Sequence, residues 1–222
     1  MKKISFTVPF ILIAALAFAQ QPEKIRVKNY RIHGASKNRK ALERLLDDSI
    51  DSGEIVVGQR TEIQVNGRFA IGSSQPVDKA VMDFIVKHRD AFELKNPKKE
   101  LKIEKNNSNE RFIVFDQRYD GLPVWKNCRK ANILIYLNEK HEIDHLSGNN
   151  IPTPDIKMKP ALTIYEAAAK AGIKVDPNNI GLVIYENKLA YGLAKDFGIV
   201  FIDANDGHML GYCQIWIPPE PA

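Results

Sequence analysis

Apolar residues recur at intervals of three and four in three segments, which predicts three amphipathic helices. The first segment is ALERLLDDSI, the second is VDKAVMDFIVKH and the third is ALTIYEAAAKAGI. Pro76 stands just before the second segment and suits the first turn of a helix. Thr163 and Glu166 form the T-x-x-E pattern of a capping box, which marks the start of the third helix.

Runs of β-branched and aromatic residues separate these helices and predict strands. The stretch EIVVGQRTEIQVNGRFAIG contains Asn66-Gly67, a residue pair that favours a two-residue hairpin turn. Further runs are RFIVFDQRYDGLPVW, ANILIYLN and GLVIYENKLAYGLAKDFGIVFIDANDGHMLGYC. The predicted fold class is α+β: two small units, each a helix packed on an antiparallel sheet in a cystatin-like meander, preceded by a short helix-hairpin segment.

The proline-rich stretch IPTPDIKMKP divides the chain and predicts a connector between the two units. The predicted organisation is a signal peptide at 1–19, an N-terminal helix and hairpin at 20–74, a first unit at 75–150, the connector at 151–161, a second unit at 162–213 and a tail at 214–222.

The opening stretch, MKKISFTVPFILIAALAFAQQ, has the features of a secretory signal. Lys2 and Lys3 supply the positive region, an apolar run follows, and Ala17-Phe18-Ala19 is an A-x-A cleavage site. The apolar run is shorter than the roughly 20 residues that span a bilayer, so we predict no permanent membrane span. We expect an exported protein that is secreted or periplasmic after cleavage.

Charge gives little indication of a partner, because the formal net charge is only +5. Basic residues are mixed with acidic ones except in the run 95–105, which holds five lysines. This run lacks interleaved aromatic residues and fits no nucleic-acid-binding module. We interpret it as a solvated loop and predict no nucleic-acid partner.

The chain has two cysteines, Cys128 and Cys213. A pair of cysteines in an oxidising compartment commonly forms a disulfide, and we predict that pairing here. The alternative is two buried thiols.

The stretch HEIDH at 141–145 fits the H-E-x-x-H pattern of zinc peptidases. His141 and His145 can converge on one ion only on a helix, since residues i and i+4 are about 13 Å apart on a strand. The upstream run ILIYL and the downstream run SGNN favour a strand. On a strand, His141, Ile143 and His145 share one face and Glu142 lies on the other.

Glu166 lies 21 residues after His145, near the spacing at which some zinc peptidases place a third ligand. The capping box with Thr163 explains Glu166 without a metal. We therefore predict that the protein is not an enzyme and has neither a metal site nor a cofactor. An orphan zinc hydrolase that uses HEIDH is the remote alternative.

The run from Pro76 to Gly148 resembles the FTP module, a propeptide segment of fungalysin- and thermolysin-type metallopeptidases. The string Q-x-Y-x-G-L-P-V carries the resemblance and comprises Gln117, Tyr119, Gly121, Leu122, Pro123 and Val124. The resemblance implies a strand ending in this string, followed by a strand-turn-strand that ends in glycine, here ILIYLNEKHEIDHLSG. It therefore also places HEID in the second arm of a hairpin.

The run from Leu162 to Cys213 is similar to the PepSY domain that follows FTP in such propeptides. The matching features are the helix with Glu166-Ala167, the strand LAYGLA, and FIDANDGHML, in which Asp206 replaces the family's threonine. In the family a peptidase domain follows, whereas this sequence ends nine residues after Cys213.

The resemblance implies a segment that assists the folding of a peptidase and inhibits it. We expect an exported propeptide-like protein that inhibits, or assists the folding of, a thermolysin-like metallopeptidase in trans. The alternatives are a propeptide-like extracellular binding or sensing module without a peptidase partner, and the remnant of a longer zymogen.

The tail QIWIPPEPA offers Ile215, Trp216 and Ile217 as candidate partner-binding residues. In the family, the chain after PepSY leads toward the peptidase, and thermolysin-like clefts favour large apolar side chains. The following prolines keep a chain extended and stiff. The alternative is that Ile215 and Ile217 extend the last strand over the core.

Overall fold

The computed structural model describes residues 30–34, 36–58, 62–72, 74–104, 111–175 and 180–214. The helices are α1 (Arg39–Asp47), α2 (Val77–Lys87), α3 (Pro97–Glu100) and α4 (Ile164–Lys170). The strands are β1 (Tyr30–His33), β2 (Gly53–Val57), β3 (Ile63–Phe69), β4 (Leu101–Ile103), β5 (Phe112–Tyr119), β6 (Leu122–Lys126), β7 (Arg129–Lys130), β8 (Asn132–Leu137), β9 (Ile143–Gly148), β10 (Gly181–Tyr185), β11 (Lys188–Lys195), β12 (Gly198–Asp203) and β13 (Met209–Gln214).

The three helices predicted from apolar spacing correspond to α1, α2 and α4. The lysine-rich run is not only a loop, because α3 and β4 form within it. Pro97 begins α3, where its missing N–H costs no hydrogen bond. The lysine side chains of α3 are exposed, and Lys98 pairs with Asp83 at 2.9 Å.

The described strands form one sheet in the order β1-β2-β3-β9-β8-β5-β6-β10-β11-β12-β13, with β4 beside β5 and β7 beside β6. This large mixed sheet with few helices is compatible with the predicted α+β class. Two antiparallel meanders do not describe it fully, because β1 pairs with β2 and β6 with β10 in parallel. The pairing of β6 with β10 joins a strand of the first predicted unit to a strand of the second. Each unit alone would leave the backbone N–H and C=O groups of an edge strand without partners, and the pairing satisfies these groups.

The N-terminal half of the sheet shares one hydrophobic core with α1 and α2. The fully buried residues include Leu45 and Leu46 of α1, Ile85 of α2, and Phe115 and Ile133 of the sheet. Each such side chain contributes roughly 1.5–3 kcal/mol relative to leaving it in water. This core fixes the loop after α2, which forms one wall of the cleft described below.

The helix α4 packs on the C-terminal half, where Ala167 and Ala168 are buried against a core that includes Val200 and Ile202. The predicted capping box is present at its start. Glu166 N–H donates to Thr163 Oγ1 at 3.3 Å, and Thr163 N–H donates to a carboxylate oxygen of Glu166 at 2.7 Å. Both bonds satisfy backbone donors that the first helical turn leaves open.

The C-terminal strands, from β6 through β10 to β13, form a strongly curled sheet. In a flat sheet β6 and β13 would lie about 19 Å apart, because four strand spacings of about 4.8 Å separate them. However, the Cα atom of Cys128, which lies just after β6, is only 5.1 Å from the Cα atom of Cys213 in β13. Trp125 and Tyr185 both contact Phe201, with ring centroids 5.4 and 4.1 Å from it. The concave face is therefore a separate buried core.

The predicted turn at Asn66-Gly67 is wrong, because both residues lie inside β3. β2 and β3 pair directly with each other along this stretch, and Gly58 N–H donates to Glu62 O at 2.8 Å just beyond the end of their ladder. Asn66 lies where the register between β3 and β9 shifts. A β-bulge at that site uses the same residue types as a turn, which explains the misassignment.

Candidate functional site

The HEIDH stretch is not a helix. His141 lies in the turn before β9 with a φ of 56°, and His145 lies within β9. The predicted common face of His141, Ile143 and His145 is wrong in part, because the strand begins only at Ile143. Ile143 and Leu146 are both fully buried, although residues three apart on a regular strand point to opposite faces. The pairing of β9 with β8 shifts by one residue between Ile143 and His145, and this bulge turns both side chains toward the core.

His145 Nδ1 lies 2.7 Å from Asn66 Oδ1, and its ring contacts Tyr136 at 5.6 Å between centroids. Glu166 is engaged in the capping box of α4. Within the described residues, no group of three or more His, Cys, Asp or Glu side chains is placed to hold a metal ion. The geometry around HEIDH does not bring its two histidines together on a helix face, as a zinc peptidase requires.

The Q-x-Y-x-G-L-P-V string forms the hairpin of β5 and β6. Gln117 is 1% exposed, and its side chain bonds both backbone groups of Ile151. Its Nε2 donates to Ile151 O at 2.8 Å, and Ile151 N–H donates to its Oε1 at 2.9 Å. The amide thus replaces one step of a β ladder, and it fastens the start of the connector to β5.

The other motif residues shape the turn and its exit. Asp120 and Gly121 have φ values of 49° and 82°, the left-handed pair that a tight hairpin needs. Pro123 pairs with Arg118 in the short β5–β6 ladder, and Tyr119 packs partly buried against the core beneath α4. β5 pairs with β8 over most of its length and with β6 only at its end. The string therefore directs the chain from one half of the sheet into the other.

Cys128 and Cys213 form a disulfide, as the sequence predicts. Cys128 lies in the two-residue turn between β6 and β7, and Cys213 is buried in the concave core of the C-terminal sheet. The bond joins strands at opposite ends of the curled sheet, across 85 residues of sequence. It closes the concave core beside Trp125 and Phe201.

A cleft of about 1250 Å³ opens where the two halves of the sheet meet. One wall is the loop after α2, from Arg89 to Lys95, together with residues 36–38 before α1. The other wall consists of Lys126, residues 150–152 and the β10–β11 turn at Glu186-Asn187. Thr153 N–H donates to Glu93 O at 3.0 Å, and Asn150 Nδ2 donates to Phe92 O at 2.6 Å, so the connector is fastened to the loop.

Lys126 is the most unusual residue of this cleft, because a lysine is rarely buried. It is 5% exposed, and its Nζ donates to Asn150 O at 3.1 Å. Burial lowers the pKa of Lys126, while the nearby carboxylates of Glu186, Glu62 and Glu93 act in the opposite direction.

Sequence reasoning did not identify Lys126, although a signal was present. It stands two residues after the buried Val124, on the same side of the alternating strand β6. A lysine on the buried side of a strand is a departure from the pattern and indicates a special environment.

The candidate tail residues Ile215, Trp216 and Ile217 lie outside the described residues, as does the signal peptide at 1–19. No helix in the described part of the chain is long and apolar enough to cross a membrane.

Comparison with known proteins identifies no family. No family model matches the sequence, and no curated protein matches it. Among solved structures, the Bacillus megaterium YpeB C-terminal domain is similar at 12% identity and a TM-score of 0.33, over 83% of this chain and 100% of that chain. A likeness at this level carries no argument about function, so the FTP and PepSY assignments enter below only as a proposal.

Proposed function

We propose that this protein is an exported, non-catalytic, propeptide-like protein that binds a thermolysin-like metallopeptidase in trans and inhibits it or assists its folding. The observation that carries the proposal is the hairpin of the Q-x-Y-x-G-L-P-V string. Gln117 fixes the connector, Gly121 makes the turn, and β6 continues into the C-terminal sheet. The string that carries the FTP resemblance thus has structural roles at Gln117, Tyr119 and Gly121, which supports the proposal.

Two links hold the FTP-like and PepSY-like segments together, and this supports a role as a rigid binder. They are the β6–β10 pairing and the Cys128–Cys213 disulfide, and the Gln117–Ile151 hydrogen bonds also fasten the connector between the segments to β5. A binder whose parts are already fixed loses less conformational entropy when it associates.

The strand β13 offers a surface for such a partner. It is the last strand of the sheet among the described residues, and its Met209 and Tyr212 are 64% and 46% exposed. Phe197, in the turn that precedes β12, is 68% exposed. Exposed sheet edges bind extended segments by main-chain hydrogen bonds. In the sequence, Ile215, Trp216 and Ile217 follow directly after Gln214, the last residue of β13, and the proposal assigns them to the same partner surface.

The test uses the mature chain and a truncated chain that ends at Gln214, each titrated against a thermolysin-like metallopeptidase. We expect the full chain to lower peptidase activity in a saturable way, or to raise the yield of active enzyme on refolding. We expect the truncated chain to do so less well, with unchanged circular dichroism showing that it is still folded. No effect of the full chain in either assay would contradict the proposal.

A second candidate function is an extracellular binding or sensing module without a peptidase partner. The cleft between the two halves favours it, because ligand sites lie preferentially in such junctions. Different assays test the two functions. The peptidase proposal requires that the protein changes the activity or folding of a peptidase, whereas the binding or sensing module requires that a ligand binds in the cleft.

A further inference from the structure

One covalent bond closes the curled C-terminal sheet. In the described part of the chain, β6 pairs with β5, β7 and β10, and β13 pairs with β12, so no backbone ladder joins the two ends. The Cys128–Cys213 disulfide joins them instead. Between the ends lies the concave core, where Trp125 and Tyr185 contact Phe201. The packing of these side chains and the disulfide therefore hold the sheet closed.

The two sulfur atoms of this disulfide differ in their exposure. Cys128 is exposed in the turn after β6, whereas Cys213 is only 2% exposed. Cys213 lies among apolar side chains that include Ile199 and Phe201. A thiolate exchanges with a disulfide only if it can reach one of the two sulfur atoms. An external thiolate can therefore attack Cys128, while burial protects Cys213.

The position of Cys213 determines which thiols can complete the reduction. Attack at Cys128 breaks the S–S bond and forms a mixed disulfide between Cys128 and the attacking thiol. The bonding electron pair leaves on Cys213 Sγ, which then takes a proton from water. Because Cys213 lies beside Cys128, its thiolate can expel a monothiol and restore the original bond. A dithiol releases Cys128 with its own second thiolate and is itself oxidised to a disulfide.

The closed sheet also contains a polar group that opening would satisfy. Trp125 Nε1 is buried and has no hydrogen-bond partner within the described residues. A buried N–H without a partner is less favourable than one in water. Opening the concave core would let water reach this N–H. The closed state therefore depends more strongly on the disulfide than a fully satisfied core would.

We propose that the Cys128–Cys213 disulfide is a redox-sensitive latch: a dithiol reductant attacks Cys128, and reduction opens the concave core of the C-terminal sheet. The N-terminal half stays folded, because the core that it shares with α1 and α2 has no residue in common with the concave core. The latch does not rest on the metallopeptidase proposal, so either can fail without the other.

The first experiment identifies the sulfur atom that reacts. The mature chain is treated briefly with reduced glutathione, quenched in acid and labelled with N-ethylmaleimide, and its peptides are mapped by mass spectrometry. We expect glutathione on Cys128 and the maleimide on Cys213, in about tenfold or greater excess over the reverse pattern. Dithiothreitol should reduce the bond fully at a thiol concentration at which glutathione leaves it mostly intact. Glutathione mainly on Cys213, or no reduction of the folded protein by dithiothreitol, would overturn the proposal.

The second experiment measures the opening. The chain has two tryptophans, so Trp216→Phe leaves Trp125 as the only one. After reduction with dithiothreitol, we expect Trp125 fluorescence to shift to longer wavelength and acrylamide to quench it more strongly. Backbone amides of β13 should exchange with solvent about tenfold faster or more. The amides of Ile133 and Ile135, in the N-terminal core, should keep their exchange rates.

Cys128→Ser/Cys213→Ser is the matched control. Its β13 amides should exchange rapidly both with and without dithiothreitol, which would show that the reductant acts through this bond. If this variant fails to fold, the unmodified chain before and after reduction still decides the question. Unchanged Trp125 fluorescence and unchanged β13 exchange after complete reduction would refute the latch. Equal acceleration at Ile133 and Ile135 would refute it as well, because the whole protein would then have unfolded.

Discussion

Gln117→Met removes the two hydrogen bonds that fasten the connector while keeping a side chain of similar size. Gln117 and Ile151 are 1% and 2% exposed, so water cannot replace the lost partners. Each buried backbone group left without a partner costs about 1–3 kcal/mol. Since the variant leaves one N–H and one C=O of Ile151 without a partner, we expect the free energy of unfolding to fall by about 2–6 kcal/mol.

The measurement is urea unfolding followed by circular dichroism, with hydrogen exchange at the Ile151 amide as a local probe. Gln75→Met is the matched control, because the hydrogen bond that Gln75 forms with Asp83 in the described part of the chain is exposed. We expect that control to change stability by less than about 0.5 kcal/mol.

Gln117→Glu makes the loss of stability depend on pH, and it therefore tests the same two hydrogen bonds a second time. A carboxylate can accept the Ile151 N–H but repels the Ile151 carbonyl, whereas a protonated carboxyl can serve both groups. This variant should therefore lose less stability, relative to the unmodified protein, at pH 4 than at pH 7. The reasoning is refuted if Gln117→Met stays within about 0.5 kcal/mol of the unmodified protein and the Ile151 amide exchanges at its original rate.

Three further predictions concern stability. Cys128→Ser/Cys213→Ser should lower the free energy of unfolding by about 2–4 kcal/mol in urea, because the disulfide closes a long loop; an unchanged midpoint would contradict this. Burial lowers the pKa of His88 although Asp48 lies nearby, so the folded protein favours the neutral imidazole. The free energy of unfolding that depends on neutral His88 is therefore complete above about pH 6.5, and it decreases as the pH falls and the unfolded chain takes up the proton. His88→Gln should flatten that decline between pH 7.5 and 5.5, and an identical slope would disprove it. Thr163→Ala should cost about 1 kcal/mol by urea unfolding, and no loss would argue against the cap.

The local features of the sequence predict much of the fold. Helices α1 and α2 follow from apolar spacing, and α4 follows from its capping box. The strand that begins within HEIDH, at Ile143, follows from the β-branched run before it and the glycine-containing turn after it. These features depend on residues close in sequence, for which spacing and side-chain type are sufficient evidence.

Features that depend on distant pairing could not be predicted in the same way. The parallel β6–β10 ladder joins Val124 to Ile184 across 60 residues, and nothing near either residue marks the partner. The turn at Asn66-Gly67 was wrong because its residue types also suit a bulge beside β9. The cleft depends on the same distant contacts. The one sign of it in the sequence is Lys126, a charged residue at a position of β6 where the alternating pattern predicts a buried apolar residue.

The central claim is that this protein binds an exported metallopeptidase in trans. The most direct measurement is isothermal titration of the mature chain into a catalytically inactivated thermolysin-like metallopeptidase exported by the same organism. The account predicts a saturable one-to-one complex with a Kd of about 1 μM or below, as specific interfaces of standard size give. No detectable complex at concentrations of about 100 μM, with both proteins folded, would contradict it.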